Sequence, residues 1–414
     1  MKKLLQHQTL VSLADQAMLS GSNFLLGVCI ARFSGITVFG EYALMMLYIM
    51  LIIGLQQAFI ISPMQQLSAK ANMALMGYLK QVQAIQVVIS LLCAFALAHY
   101  LFACHTITAV KPWVMFLITF FILFNETNRK SLYLSHQHLL ILITSFISNI
   151  IPLIIIFLLS IYGTLQLNEA LFIQSFFYAL GASIGSFPFL LKNHTDTYVA
   201  IIKEHFNKSV WLTGTSLLQW FSGNFFMIAA NQVLGSTALG AIKMAQNLLG
   251  LLNVVLLALE NHFPANIARL FLSENHTELI RYMKSFYKQY LLISGVLLTG
   301  LLLFTKTIIF YVFGPAFIPY AWVVYGFIGI YLVVVSATPL RIAVRVMNKQ
   351  QVIFIGYLSS TVFALLFADT MVQHFGISGV IIGFGISQVM MAVAYIIGFK
   401  QITFQIPHKA PVTL

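Results

Sequence analysis

Twelve apolar runs of membrane-spanning length constrain the fold of this chain more than any other feature of its sequence. A helix needs about 20 mainly apolar residues to cross a bilayer. The runs cover residues 10 to 32, 41 to 63, 82 to 102, 112 to 128, 138 to 161, 169 to 191, 210 to 234, 237 to 264, 289 to 314, 319 to 340, 351 to 372 and 376 to 399. Because backbone polar groups in hydrocarbon must bond within the protein, such runs are expected to span as helices. The sequence therefore predicts an all-α polytopic membrane protein.

The segments between the runs leave no room for a separate soluble domain. The longest are residues 64 to 81, 192 to 209 and 265 to 288, and the 414-residue chain is 60% hydrophobic and only 8% charged. The sequence contains no phosphate-binding loop with its lysine and no His or Cys cluster with metal-ligand spacing. We therefore expect a protein that is not an enzyme, with no cofactor, no metal site and no catalytic residue.

The basic residues indicate how the chain is oriented in the membrane. A net charge of +12 raises the question of nucleic-acid binding, but here the cations are spread along loops, whereas a nucleic-acid-binding domain clusters them on one soluble face. With the amino terminus inside, every Lys and Arg except Arg32, Lys111, Lys243 and Lys306 falls on the cytoplasmic side. By the positive-inside rule both termini are predicted to be cytoplasmic, and nucleic acid is not expected as a partner.

A weak internal repeat indicates that the bundle is doubled. The segment from Asn23 to Pro63 recurs from Asn224 to Pro264, and a one-residue slip aligns Gly35 with Gly235. The alternative is that two apolar segments share a few small residues by chance. Since each half has an even number of runs, the repeats are predicted to be parallel six-helix lobes, residues 1 to 200 and 201 to 414.

Two polar segments are open to two interpretations. Residues 192 to 209 and 265 to 288 both carry apolar residues at helical spacing among basic ones. Each segment is consistent with an amphipathic helix on the membrane surface or with a cytoplasmic extension of the neighbouring membrane helix.

The candidate functional residues are the charges and amides that a bilayer penalises. A charge at mid-membrane costs roughly 2.5 to 3.5 kcal/mol on insertion scales, so such residues usually face a cavity or a partner. Asp15, Lys243 and Glu260 are the charged candidates. The polar candidates with helical spacing are Ser12, Gln16, Ser20, Ser22 and Asn23 in the first run, Thr213, Ser216, Gln219, Ser222 and Asn224 in the seventh, and Gln246 and Asn253 in the eighth.

Each of these residues also has an interpretation that involves no cavity. Neutral amides and hydroxyls also join membrane helices to one another, at about 0.6 kcal/mol per hydrogen bond. Lys243 has a second alternative, snorkelling to the outer headgroups. Asp15 and Glu260 each lie about a turn from the predicted cytoplasmic end of their runs, within reach of water.

The opening of the chain contains a series of short motifs with a recognisable order. They are Ala14-Asp15-Gln16, Ser20-Gly21-Ser22-Asn23-Phe24, Ala31-Arg32-Phe33, Phe39-Gly40-Glu41-Tyr42-Ala43-Leu44, Gln56-Gln57-Ala58 and Ser62-Pro63-Met64. With these motifs the chain resembles the Wzx-type polysaccharide flippases of the multidrug, oligosaccharidyl-lipid and polysaccharide exporter superfamily. The resemblance covers about the first 65 residues; beyond them the chain agrees in helix number, duplication and topology.

The resemblance implies two six-helix lobes around a central cavity. It also implies a flippase that carries an oligosaccharide linked to polyprenyl pyrophosphate from the cytoplasmic to the periplasmic leaflet of the bacterial inner membrane, for O-antigen or lipopolysaccharide synthesis. Membrane lipids, a polysaccharide polymerase and glycosyltransferases are then the expected partners. On this hypothesis Lys243 and Arg32 attract the pyrophosphate or acidic sugars, or Arg32 lies at the outer headgroups. The predicted substrate-binding set also includes Gln246, Asn23 and Asn224. Asp15 and Glu260 are predicted to balance charge or carry a coupling proton.

Three other functions remain as alternatives. A cation-coupled multidrug exporter of the same superfamily is the nearest one, although such a protein is expected to have an acidic pocket at mid-bilayer. A membrane glycosyl polymerase is less favoured because the sequence has no large outer loop. Flippases for lipid-linked peptidoglycan precursors carry two further helices that this chain lacks, so that substrate is also disfavoured.

Overall fold

The computed structural model describes residues 2 to 71, 75 to 104, 107 to 163, 166 to 190, 198 to 260, 263 to 273, 276 to 347 and 349 to 405. The backbone alone is described for residues 2 to 9, 69 to 71, 251, 253 to 255, 257 to 260, 265, 276 and 402 to 405. The chain forms two compact units, Met1–Leu217 and Leu218–Leu414. Lobes divided between residues 200 and 201 remain a prediction.

Helices account for nearly all of the described chain. The helices are α1 Lys2–Gln56, α2 Ser62–Ala71, α3 Leu75–Ala103, α4 Pro112–Leu134, α5 His138–Ser145, α6 Ile151–Ile161, α7 Leu167–Leu190, α8 Tyr198–Leu234, α9 Ser236–Glu260, α10 Phe263–Leu272, α11 His276–Val312, α12 Ala321–Val346 and α13 Gln350–Gln405. Two π turns, Gln57–Ile61 and Phe146–Ile150, and one 3-10 turn, Pro315–Tyr320, connect some of them.

Seven helical segments of the described chain are long and apolar enough to cross a membrane. Two of the seven include the glycine breaks in α1 and α13, where Gly35 has φ 84° and Gly376 has φ 58°, and each therefore supplies two spans. Helices α4, α8 and α9, of 23, 37 and 25 residues, are also of spanning length. The described segments thus agree with the predicted all-α polytopic fold of about twelve membrane helices.

The internal repeat coincides with a repeated break in the backbone. Gly35 and Gly235, the aligned glycines, adopt φ 84° and φ 82°. Only glycine takes this conformation without a steric cost, because a Cβ atom would crowd the backbone. In both units a ten-residue helix, α2 or α10, then begins within one residue of the aligned Pro63 or Pro264. The two units therefore share a local plan of helix, glycine break, helix and short helix.

The outer surfaces of the helices are apolar. Large side chains such as Leu92, Phe187 and Leu303 are exposed, at 66%, 69% and 72%. A water-soluble protein rarely exposes apolar surface on this scale. These surfaces suit contact with lipid, as expected for a multi-pass membrane protein.

The structure corrects one local expectation and decides between two alternatives that the sequence left open. Helix α4 continues to Leu134, so Arg129 and Lys130 lie within a helix rather than in the loop predicted after residue 128. Helix α8 is continuous from Tyr198 to Leu234, so residues 198 to 209 extend a membrane helix instead of forming a separate surface helix. Residues 192 to 197 lie outside the described part of the chain.

Candidate functional site

A buried charge cluster lies inside the first unit, formed by Asp15 of α1 and Glu126, Arg129 and Lys130 of α4. Arg129 and Asp15 are only 6% and 1% exposed. The Arg129 Nη1 atom lies 2.7 Å from Asp15 Oδ2, and its Nη2 lies 2.8 Å from Glu126 Oε2. Lys130 Nζ lies 3.6 Å from Glu126 Oε1. Two carboxylates and two cations therefore balance at this position.

Three side chains donate hydrogen bonds to the buried carboxylate of Asp15. Arg129 Nη1 and the Tyr133 hydroxyl both donate to Oδ2 at 2.7 Å. The Ser145 hydroxyl donates to the other oxygen, Oδ1. Both carboxylate oxygens are thus satisfied, as a charge buried inside a membrane helix bundle requires.

Local helix geometry explains how α4 supplies most of this cluster. Arg129, Lys130 and Tyr133 lie three, four and seven residues after Glu126. These offsets place all four side chains along one helix face. Arg129 turns its Nε and Nη2 atoms toward Glu126 at 2.8 to 3.1 Å. Its Nη1 atom is left to reach Asp15.

Ser145 reaches Asp15 from the last residue of α5, next to a break in regular helix. The π turn Phe146–Ile150 follows Ser145 directly. Such single π turns widen the helix and are frequent at functional sites. The charge cluster therefore lies beside an irregular helix segment.

A neutral hydrogen-bond network occupies the interior beside the charges. Gln56 Nε2 donates to Thr127 Oγ1 at 2.6 Å, and Gln83 Nε2 donates to Asn128 Oδ1 at 3.1 Å. Asn128 Nδ2 in turn donates to Ser186 Oγ at 3.0 Å. These bonds link α1, α3, α4 and α7. Joining helices is one of the two roles that the sequence leaves open for amides and hydroxyls.

The predicted residues Lys243 and Gln246 meet in the second unit. Both are half-buried on α9, and Lys243 Nζ donates to Gln246 Oε1 at 3.3 Å. Asn224 on α8 is half-buried, and its Nδ2 donates to the carbonyl of Trp220 on the same helix at 2.9 Å. The Asn224 side-chain amide therefore already donates a hydrogen bond within its own helix.

The remaining predicted residues are separate from these contacts. In the first unit Asn23 is half-buried, and Arg32 is exposed on α1. The side chain of Glu260 lies outside the described residues, so the structure does not place it. The binding and coupling roles of all seven residues stay predictions.

A polar cavity of about 170 Å³ lies within the second unit. Helices α8, α12 and both halves of α13 surround it. The lining residues are Gln219, Ser222, Gly223, Val334, Ala337, Thr338, Arg341, Tyr357, Gln388, Met391 and Tyr395. None of them is acidic, and Arg341 is the single cation in the lining. The cavity therefore has a positive character.

Sequence reasoning found some of these groups and missed others. Gln219 and Ser222 belong to the polar stripe recognised on the seventh run. Sorting the basic residues by side of the membrane places Arg129 in a cytoplasmic loop. Its spacing of three from Glu126, at the end of an apolar run, was the available signal for a pair within the membrane helix.

Within the described residues, no group of three or more His, Cys, Asp or Glu side chains is arranged to hold a metal ion. The three cysteines are free, and they range from buried Cys29 to exposed Cys104.

Solved structures with the same fold are membrane transporters. An inward-facing multidrug resistance MATE family transporter of the MOP superfamily aligns with a TM-score of 0.73 and 13% identity, over 95% of this chain and 96% of that chain. An outward-facing MATE transporter aligns with a TM-score of 0.64 and 14% identity, over 98% and 96%. The lipid II flippase MurJ, in an inward closed conformation, aligns with a TM-score of 0.65 and 15% identity, over 95% and 87%.

Comparison at the level of sequence adds no relative. No family model and no curated protein matches the chain. At 13 to 15% identity the structural alignments establish a shared fold and no shared substrate. The chain therefore has the fold of the MOP superfamily transporters, a class that contains both drug exporters and a lipid flippase.

Proposed function

We propose that this protein is a flippase that moves an oligosaccharide linked to polyprenyl pyrophosphate from the cytoplasmic to the periplasmic leaflet by alternating access. Its product supplies surface polysaccharide synthesis, such as that of O-antigen. The observation that carries the proposal is the polysaccharide-transporter resemblance of the first 65 residues, in a chain whose fold is shared with a lipid flippase.

The physical problem of such a substrate fits a polar protein interior. Sugars and a pyrophosphate cannot cross hydrocarbon without large desolvation costs, whereas a prenyl tail can remain in lipid. Buried polar side chains in each unit offer hydrogen bonds that replace water during the passage. In this proposal Lys243 and Gln246, together with Asn23, Arg32 and Asn224, contact the polar end of the substrate.

The proposed roles of the charges follow from their surroundings. Asp15 is a carboxylate whose partners Arg129, Tyr133 and Ser145 come from two other helices. A change in its protonation would loosen contacts among three helices at once. We therefore assign Asp15 to charge balance or proton coupling, and Glu260 to the same role in the second unit.

The proposed setting is the inner membrane of a bacterium, with both termini in the cytoplasm. Glycosyltransferases that build the lipid-linked glycan act before this step, and a polysaccharide polymerase acts after it. Genes for such enzymes are expected beside the gene for this protein.

Deletion of the gene tests the proposal directly. Long-chain surface polysaccharide should disappear from gel ladders and return with the wild-type gene. Lys243→Ala should reduce the ladder at unchanged protein level, while Lys284→Ala should not, because Lys284 is an exposed residue of α11 in the same unit. A normal ladder in the deletion strain would exclude this function.

A cation-coupled multidrug exporter is the second candidate. The observation in its favour is the MATE transporter alignment at a TM-score of 0.73. Proteoliposomes separate the two functions. A flippase transfers a labelled lipid-linked oligosaccharide between leaflets, whereas an exporter moves a soluble cationic drug when a proton or sodium gradient is imposed.

A further inference from the structure

The polar cavity of the second unit has the chemistry of an anion site. Arg341 is half-buried on α12 and is the single cation in the lining. Among the described side chains, no carboxylate lies within ion-pair distance of Arg341. A half-buried guanidinium without a carboxylate partner is well placed to accept an anion.

The groups around Arg341 suit a hydroxylated ligand. Tyr357 and Tyr395 are 7% and 3% exposed and pack in one cluster, and both line the cavity together with Arg341. Gln219 and Gln388 bring amides that both donate and accept. Each tyrosine side chain combines a flat apolar ring with a polar hydroxyl group.

The size of the cavity limits the ligand. Pockets for drug-sized molecules usually measure about 300 to 1,000 Å³, and this one measures about 170 Å³. It has room for a single sugar ring or a phosphate group, but not for a whole oligosaccharide. The site therefore recognises one part of a larger molecule or a small free ligand.

We propose that this cavity binds an oxyanion, a carboxylate or phosphate carried by a sugar, through Arg341. A planar guanidinium forms two parallel hydrogen bonds with such a group, and this geometry distinguishes it from a lysine. The glutamine amides and tyrosine hydroxyls then contact the sugar hydroxyls. Where the ligand is the transported glycan, a step that rests on the proposed function, the glycan contains an acidic or phosphorylated sugar.

Binding to the purified full-length protein in detergent tests the site. Saturation-transfer NMR would compare glucuronate, inorganic phosphate and neutral glucose as probes. We expect at least one anion to bind about tenfold or more tightly than glucose, because hydrogen bonds between a guanidinium and an anion are stronger than those between neutral groups. Glucuronate alone would indicate a uronic acid, and phosphate alone a phosphorylated ligand.

Three variants assign the binding to Arg341. Arg341→Gln should weaken anion binding about tenfold or more, and Arg341→Lys should weaken it less because the charge remains. Lys284→Gln, at an exposed position of α11 in the same unit, should leave it unchanged. Unfolding temperatures of all three variants would verify the fold.

Two results would overturn the inference. One is glucose binding as tightly as both anions, and the other is a well-folded Arg341→Gln variant that keeps wild-type anion affinity. Leaflet transfer measured on the same preparations keeps the two proposals separate. A protein that binds anions but transfers no lipid-linked glycan contradicts the flippase function and leaves the anion site intact.

Discussion

The two units share a backbone plan but differ in what fills their interiors. Each has the helix, positive-φ glycine, helix and short-helix sequence around Gly35 or Gly235. The first unit buries a cluster of four charges, while the second has a cavity with one arginine and no acidic lining residue. The same local backbone plan therefore accompanies two different electrostatic interiors.

The two interiors differ in whether their charged groups are already bonded to other protein groups. In the first unit both oxygens of Asp15 are already bonded to protein, so the charge cluster has little capacity left for a ligand. In the second unit Arg341 retains its capacity for an anion. The repeat itself carries the same asymmetry, since Ser216 stands opposite Asp15 at the repeat offset and Ala43 stands opposite Lys243.

The largest effect is expected from removing the central cation of the first unit. Arg129→Gln leaves Asp15 and Glu126 buried without their shared partner. Loss of one member of a buried ion pair costs about 3 to 5 kcal/mol, so the free energy of unfolding should fall by that order. Denaturant titration of the purified protein in mixed micelles measures it. A loss below about 1 kcal/mol would mean that the cluster is hydrated rather than buried.

Asp15→Asn should have a smaller effect than Arg129→Gln. The variant removes one charge, but Arg129 keeps its bidentate contact with Glu126. A hydrogen bond to a charged group is worth roughly 1.5 to 3 kcal/mol, which sets the expected loss of stability. Equal losses in the two variants would show that Glu126 contributes nothing to the balance. The same pair of unfolding titrations decides the order.

These charge contacts show how far sequence reasoning reaches. The membrane spans follow from local composition, so they were predictable within a few residues. Asp15 was also predictable, because a carboxylate in an apolar run is costly wherever it lies. Its partner was not, because Arg129 is 114 positions away and the pairing depends on how α1 packs against α4. The cavity likewise depends on the packing of separated helices, of which the sequence indicated only the polar stripe on α8.

The stability of the second unit should depend on the close packing of α13 against α8. A Cβ atom at Gly383 of α13 would lie 2.1 Å from Cε1 of Phe226, a fully buried ring of α8. Gly383→Ala should therefore destabilise the protein by about 1 to 3 kcal/mol through overpacking. Gly385→Ala is the matched control, because its nearest neighbour, Ile330 Cγ1, is 3.6 Å away. Alanine at that position should be neutral or stabilising, since it is the better helix former.

The smallest effect is expected at the edge of the charge cluster. Lys130 is 26% exposed in its side chain and pairs with Glu126 at 3.6 Å, a longer contact than the 2.8 Å between Arg129 and Glu126. Partly exposed pairs contribute about 0 to 1 kcal/mol, so Lys130→Gln should reduce the unfolding free energy by no more than that. A loss as large as that of Arg129→Gln would contradict the assignment of Arg129 as the central cation. It would instead make the cluster a four-charge network in which each member depends on all the others.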